Sequence, residues 1–136
     1  MHTSSIYTKN FVIPESAIDE NGHVNNVVYV QWMQDIAVEH YSTIGGVFAQ
    51  GTDSTWVVHE HKIEYLLPAF AGEEIEIKTW IESIRRVRST RKYEFVRISD
   101  GKVLVKGETD WVFVDAKTGA PRVIPDEVAK VMNPSA

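Results

Sequence analysis

Residues 18–41 read IDENGHVNNVVYVQWMQDIAVEHY, and this stretch decides how the rest of the chain is arranged. A polar, titratable loop with Asp19, Asn21 and His23 runs straight into the only long helical pattern of the sequence. Asn25 or Asn26 can cap that helix, because an Asn side chain accepts from a first-turn amide that has no partner inside the helix. Beyond the cap, Val30, Met33, Ile36, Ala37, Tyr41 and Ile44 recur at three- and four-residue intervals, the spacing of a helix with one apolar stripe. That stripe needs a surface to lie on. Gly45-Gly46 then ends the helix, since glycine takes the left-handed conformation of a helix end without steric cost.

The surface is predicted on both sides of the helix. Ser5 to Pro14 reads as a first strand, with Tyr7, Phe11 and Ile13 near one face and Ile6, Thr8, Asn10 and Val12 on the other. From Gly46 to Ser54 a loop is expected. Four strand-like runs follow: Thr55 to Leu67, Glu74 to Ile84, Ser89 to Ser99 and Lys102 to Asp115. The second alternates cleanly, Ile75, Ile77, Thr79 and Ile81 against Glu74, Glu76, Lys78 and Glu82, so one face is buried and the other wet. Asp100-Gly101 is a two-residue hairpin signal, because both residues tolerate positive φ. Short spacings between the runs predict antiparallel neighbours, as a parallel return needs a crossover of about a dozen residues. Thr118-Gly119 turns the chain out of the sheet, and Pro125 to Met132 is expected to form a short helix. The result is an α+β fold with one long helix against a five-stranded antiparallel sheet. One helix covers only part of one sheet face and an edge stays open, so a partner subunit is expected.

The 136 residues fit one domain, residues 1–136, able to bury roughly two thirds of the unfolded surface. No apolar run approaches the ~18 residues of a membrane span, and the first ten residues lack a signal-peptide core, so the cytoplasm is the expected compartment. Without cysteine there is no disulfide, thiolate metal site or cysteine nucleophile. A net charge of −5 argues against a general nucleic-acid binder. The positive charge is nonetheless clustered in Arg85, Arg86, Arg88, Arg91 and Lys92, which can meet a few phosphates of a small ligand or simply solvate a turn.

Several enzyme classes fall away because the chain has no nucleophile elbow, P-loop, dinucleotide-binding glycine pattern or HExxH. His59 and His61 alternate on one strand face but lack a third ligand for a metal. Chemistry is left to the Asp19 loop. A carboxylate near a helix N-terminus can serve as nucleophile or general base while free first-turn amides donate to an oxygen gaining negative charge, which suits attack on a carbonyl. The structural alternative is that Asp19 and the asparagines only make a turn and cap the helix.

On the residues Asp19-Glu-Asn-Gly22-His23-Val-Asn25-Asn26, with Tyr29 beyond them, and on Tyr65-Leu-Leu-Pro68 followed by Gly72, the chain resembles the hotdog-fold acyl thioesterases, particularly the 4-hydroxybenzoyl-CoA thioesterase-like group. The resemblance runs from about Tyr7 to Pro125. It implies a hotdog fold and hydrolysis of acyl-CoA without metal or redox cofactor. It places Asp19 at the catalytic aspartate, the Asn26 amide at the thioester carbonyl, and Gly22 and Asn26 among the substrate-binding positions. The same spelling is similar to plant acyl-carrier-protein thioesterases, in which positions matching Asp19, Asn21 and His23 are catalytic. The ranking implied is Asp19, then His23, then Asn21. The family also builds its sites at a dimer interface and holds CoA phosphates on basic residues, for which Arg85, Arg86 and Arg88 are candidates. A homodimer or homotetramer is expected, with no nucleic-acid or membrane partner. The alternatives are an acyl-carrier-protein thioesterase, a non-catalytic acyl-CoA binder, and a dehydratase, whose loop spelling fits less well.

Overall fold

The structure, a computed structural model, describes residues 5–132. In chain order it contains β1 (Tyr7–Val12), a 3-10 turn (Glu15–Ala17), α1 (Asn26–Thr43), α2 (Gly46–Gln50), β2 (Ser54–Tyr65), β3 (Glu74–Arg85), β4 (Arg88–Arg97), β5 (Val103–Asp115) and α3 (Asp126–Met132). The five strands form one sheet in the order β1-β3-β4-β5-β2. Every pairing is antiparallel. The long helix packs on one face, the hotdog arrangement that the resemblance implies.

The predicted stripe of α1 is present but rotated. Tyr29, Met33, Ile36, Ala37 and His40 are buried, while Val30 and Tyr41 are only half-buried. The rotation sets the Tyr29 ring edge-on to Phe95 at 5.0 Å between centroids. It also drops Met33 over Gly107 of β5. A Cβ on Gly107 would lie 2.8 Å from Met33 Sδ, so only glycine lets the helix come this close to the sheet. The strand alternation holds: Ile75, Ile77, Thr79 and Ile81 of β3 and Ser89, Arg91, Tyr93 and Phe95 of β4 are buried beneath the helix. The opposite face is charged, with pairs such as Lys92–Glu108 at 2.7 Å and Arg88–Asp110 at 3.1 Å. Exposed pairs of this kind stabilise by about 1 kcal/mol or less.

Four local expectations change. The segment expected as a loop contains α2, which starts directly after Gly45 (φ 86°) because Ala49 N–H can reach the Gly45 carbonyl at 3.0 Å. The β4–β5 connection is not a two-residue turn: Arg97 N–H closes on the Lys102 carbonyl at 2.9 Å, around an Asp100 carboxylate that accepts from both Arg97 and Lys102 N–H. Consecutive β2 and β3 are not neighbours, since β2 pairs with β5 and β3 lies between β1 and β4. Leu66 to Glu73 carries the chain across, and Pro68 and Gly72 suit that irregular path. Finally, β2 bulges between Val58 and Glu60, so His59 and His61 do not share a regular strand face. The terminal helix appears as α3, with Val128 and Met132 buried against Phe113 and Ile81. Strands β1 and β2 are the sheet edges.

Candidate active site

The loop after the 3-10 turn is closed at its base by a bridge between Ile18 and Val24. Inside it, Asp19 N–H donates to the His23 carbonyl at 3.1 Å and Gly22 N–H to the Asp19 carbonyl at 3.0 Å. Gly22 turns the tip with φ 84°, a conformation that favours glycine. The loop is then tied to its surroundings by Asn25 N–H donating to Ala17 and Val24 N–H to Ala69, each at 2.9 Å. The carboxylate-bearing loop is thereby held against the start of α1.

Asn25 rather than Asn26 is the cap, its Oδ1 accepting from Val27 N–H at 2.9 Å, and its carbonyl accepts from Val28 N–H at 3.0 Å. Asn26 N–H consequently has no acceptor among the described residues. Its carbonyl receives the Tyr65 hydroxyl at 3.1 Å. Asp19 does make the turn that the structural alternative requires, Oδ1 accepting from Asn21 N–H at 2.9 Å. Its Oδ2 takes no hydrogen bond from a described residue. Asn21 and Gly22 are exposed and His23 is half-buried.

His23 and Asn26 meet in a cavity of about 170 Å³ that Tyr29, Tyr65 and the Leu66 to Ala69 segment also line. The imidazole stands edge-on to Phe70, at 6.5 Å between centroids. Asp19, Asn21 and Gly22 sit on the loop beside this cavity rather than in its wall. Burial, with smaller contributions from Tyr65 and Glu73, pushes the Tyr29 phenol up to about 12, so it stays neutral at physiological pH.

The three arginines are elsewhere. Arg85 and Arg88 face each other where β3 and β4 join, and Arg86 between them has φ 43°. The other end of β3 adjoins the segment that leads into the Asp19 loop, where Ile13 N–H donates to the Glu73 carbonyl at 2.9 Å. The length of the strand separates the two groups by roughly 36 Å, at about 3.3 Å per residue. Within one chain the arginines are therefore not brought to Asp19. Arg91, of the same cluster in sequence, is buried instead. Among the described residues no three of His, Asp and Glu gather to hold a metal.

The family model described as the thioesterase-like superfamily matches residues 13–132. The chain belongs to that superfamily. Among curated relatives, this thioesterase-like chain is 22% identical to the acyl-[acyl-carrier-protein] hydrolase FATB2 of Cuphea viscosissima, over 95% of its own length and 33% of the relative's. It is 24% identical to an oleoyl-acyl carrier protein thioesterase of Arabidopsis thaliana, over 90% and 35%. It thus spans about a third of the curated relatives it matches. Among solved structures, a 1,4-dihydroxy-2-naphthoyl-CoA thioesterase from Synechocystis superposes with a TM-score of 0.82 at 15% identity, covering 94% of this chain and 96% of that one. The 12:0-ACP thioesterase from Umbellularia californica gives 0.84 at 20% identity, covering 96% and 50%. These likenesses establish the shared hotdog fold.

In this thioesterase-like chain, sequence reading missed two features. The Tyr65 hydroxyl on the Asn26 carbonyl had no local signal, because β2 and α1 meet only in the fold. Burial of Arg91 did have one: it lies in phase with Tyr93 and Phe95. Among the described residues no helix is long and apolar enough to cross a membrane.

Proposed function

We propose that this thioesterase-like protein hydrolyses an acyl-CoA thioester to a free carboxylic acid and CoA, with Asp19 as nucleophile or general base. The observation that carries this reading is the pairing of a carboxylate, one oxygen of which is free, with a helix start whose Asn26 N–H has no acceptor. As the carbonyl carbon is attacked, its oxygen gains negative charge, and a first-turn amide with the helix dipole behind it stabilises that charge more than it does the neutral ester. As general base, Asp19 takes a proton from water while the new C–O bond forms, and the C–S bond then breaks to release thiolate. As nucleophile, it forms an anhydride as the C–S bond breaks and thiolate leaves, and water then hydrolyses the anhydride to the free acid and the regenerated Asp19 carboxylate. His23, in the cavity wall beside Asn26, orients water or substrate, and Asn21 supports the Asp19 turn.

Phosphates of the carrier are assigned to Arg85, Arg86 and Arg88. The grouping of these arginines at one hairpin supports this, because Arg85 and Arg88 are cross-strand partners with Arg86 in the turn between them, and neighbouring guanidiniums attract a multiply charged phosphate group. Given the distance along β3, the arginines are those of a second copy, and the smallest active unit is a homodimer, itself able to pair into a tetramer.

The curated relatives, named as acyl-carrier-protein hydrolases, favour acyl-carrier protein as the second reading of the carrier. Matched acyl-CoA and acyl-carrier-protein substrates, followed by free-thiol release, distinguish the two. A strong preference for the carrier protein overturns CoA, and an Asp19→Asn protein with near wild-type activity on both overturns the role of Asp19.

A further inference from the structure

Beneath the C-terminal half of α1 lies a cavity of about 220 Å³ that the proposed hydrolysis does not use. His40 follows Asn26 by fourteen residues of α1, so at about 1.5 Å per residue this region is roughly 21 Å from the helix start. Ala37, Val38, Tyr41, Trp56 and Trp111 give the cavity apolar walls, and Arg91 opens onto it. Arg91 is only 4% exposed.

The guanidinium donates from Nη1 to His40 Nδ1 at 2.8 Å and to Thr79 Oγ1 at 3.1 Å. Neither partner carries a negative charge. His40 must be neutral at Nδ1 to accept, and burial, then the charge of Arg91, hold its pKa down to about 4. Burial lowers Arg91 to about 10, which leaves it cationic at neutral pH. Carboxylates on the same strands are engaged on the charged face, Asp110 with Arg88 and Glu108 with Lys92, and Glu82 lines a depression on that face. No described carboxylate pairs with Arg91, and its Nη2 and Nε make no hydrogen bond to a described residue. A buried cation without a counter-charge is costly.

A second donor stands in the same wall. Trp56 Nε1 is buried and makes no hydrogen bond of proper geometry, although the indole bears on the Tyr41 phenol and lowers a pKa that burial raises. The polar side chains Gln50 and Ser89, also on the wall, are engaged within the chain, Gln50 with Tyr41 and Ser54 and Ser89 with Ser83.

We propose that this cavity binds a small monocarboxylate with an apolar body. The carboxylate lies on Arg91 and Trp56 Nε1, and the hydrocarbon lies against Ala37, Val38 and Trp111. A guanidinium presents parallel N–H groups that match the two oxygens of a carboxylate. The volume falls below the ~300–1,000 Å³ of sites for drug-sized ligands, so one ring or a short branched chain fits.

The test uses the full-length wild-type protein with cyclohexanecarboxylate and its isosteric neutral control, cyclohexanecarboxamide. Calorimetry and the fluorescence of Trp56 and Trp111 read the binding. The acid is expected to bind at least ~10-fold more tightly than the amide, since only the acid neutralises Arg91. In Arg91→Met that preference should vanish, whereas Arg91→Lys keeps part of it. Trp56→Phe, which removes one donor and leaves Arg91, should weaken the acid more than the amide. Equal binding of acid and amide by the wild type, no binding of either at millimolar concentration, or equal binding of inorganic phosphate and the acid overturns the proposal. None of these measurements depends on hydrolytic activity.

Discussion

Asp19 makes a turn and, in the proposed reaction, moves a proton or forms a bond; substitution separates the two. Asp19→Asn keeps an oxygen for the Asn21 amide, so thermal stability should stay near wild type. Turnover should fall by ~10²–10⁴, the contribution of a positioned base. Loss of activity only through unfolding would reduce the loop to a helix cap. His23→Ala should cost less, because the imidazole orients rather than bonds. His40 gives a different, pH-dependent prediction. Stacked on Tyr7 at 5.0 Å and only 1% exposed, it has a folded pKa of about 4 against 6.5 for a free imidazole. Between those values the unfolded chain binds more protons, so stability is full above pH 6.5 and falls as pH drops toward 4. The loss from this group is at most about 3 kcal/mol. Urea unfolding across the window should show a steeper pH dependence for wild type than for His40→Gln, and equal slopes would mean that the folded imidazole titrates like the unfolded one.

The elements themselves were largely legible where periodicity and turn chemistry agreed. The pair Asn25-Asn26 before an apolar stripe marked the start of α1, the structure makes Asn25 the cap, and Asn25→Ala should destabilise by about 1 kcal/mol in chemical denaturation through its loss. The alternation of β3 located its buried face without ambiguity. What could not be read depends on contacts distant in sequence. Met33 and Gly107 lie in different elements, and nothing local shows that Gly107 is where the helix approaches. Its replacement by alanine should cost about 1–3 kcal/mol by overpacking, seen as a lower melting temperature with unchanged secondary structure; an unshifted melting temperature would show that Met33 simply moves aside. The five residues of α2 are too few for a 3.6-residue period to declare itself. The bulge at His59 shifted the phase of β2 in a way no single residue announces. Of the site, the loop and helix start were legible as a motif, while its neighbours Tyr65 and Phe70 come from strand and crossover segments placed there by the order of the sheet.

At the scale of the whole molecule, the long β2 edge and the half-covered sheet predict an oligomer, so light scattering at micromolar concentration should give at least twice the chain mass of 15.4 kDa. A fully active monomer would overturn this. Neutralising Arg85, Arg86 and Arg88 together should raise KM for acyl-CoA and leave kcat nearly unchanged, because remote phosphate contacts hold substrate and transition state alike. The effect should fade with salt, and unaltered kinetics at low ionic strength would leave the hairpin a solvated turn. The placement of Asp19 and these arginines at opposite ends of β3 has a genetic consequence. If each site takes its carboxylate from one chain and its arginines from another, two defective proteins can repair one another. An Asp19→Asn chain mixed and reassembled with the triple arginine variant forms mixed dimers in which one site has both functions and the other has neither. Because the arginine variant keeps its kcat, the readout is kcat/KM at acyl-CoA well below KM, where equal amounts should restore about a quarter of the wild-type value since half of randomly assembled dimers are mixed, whereas sites built within single chains would restore none.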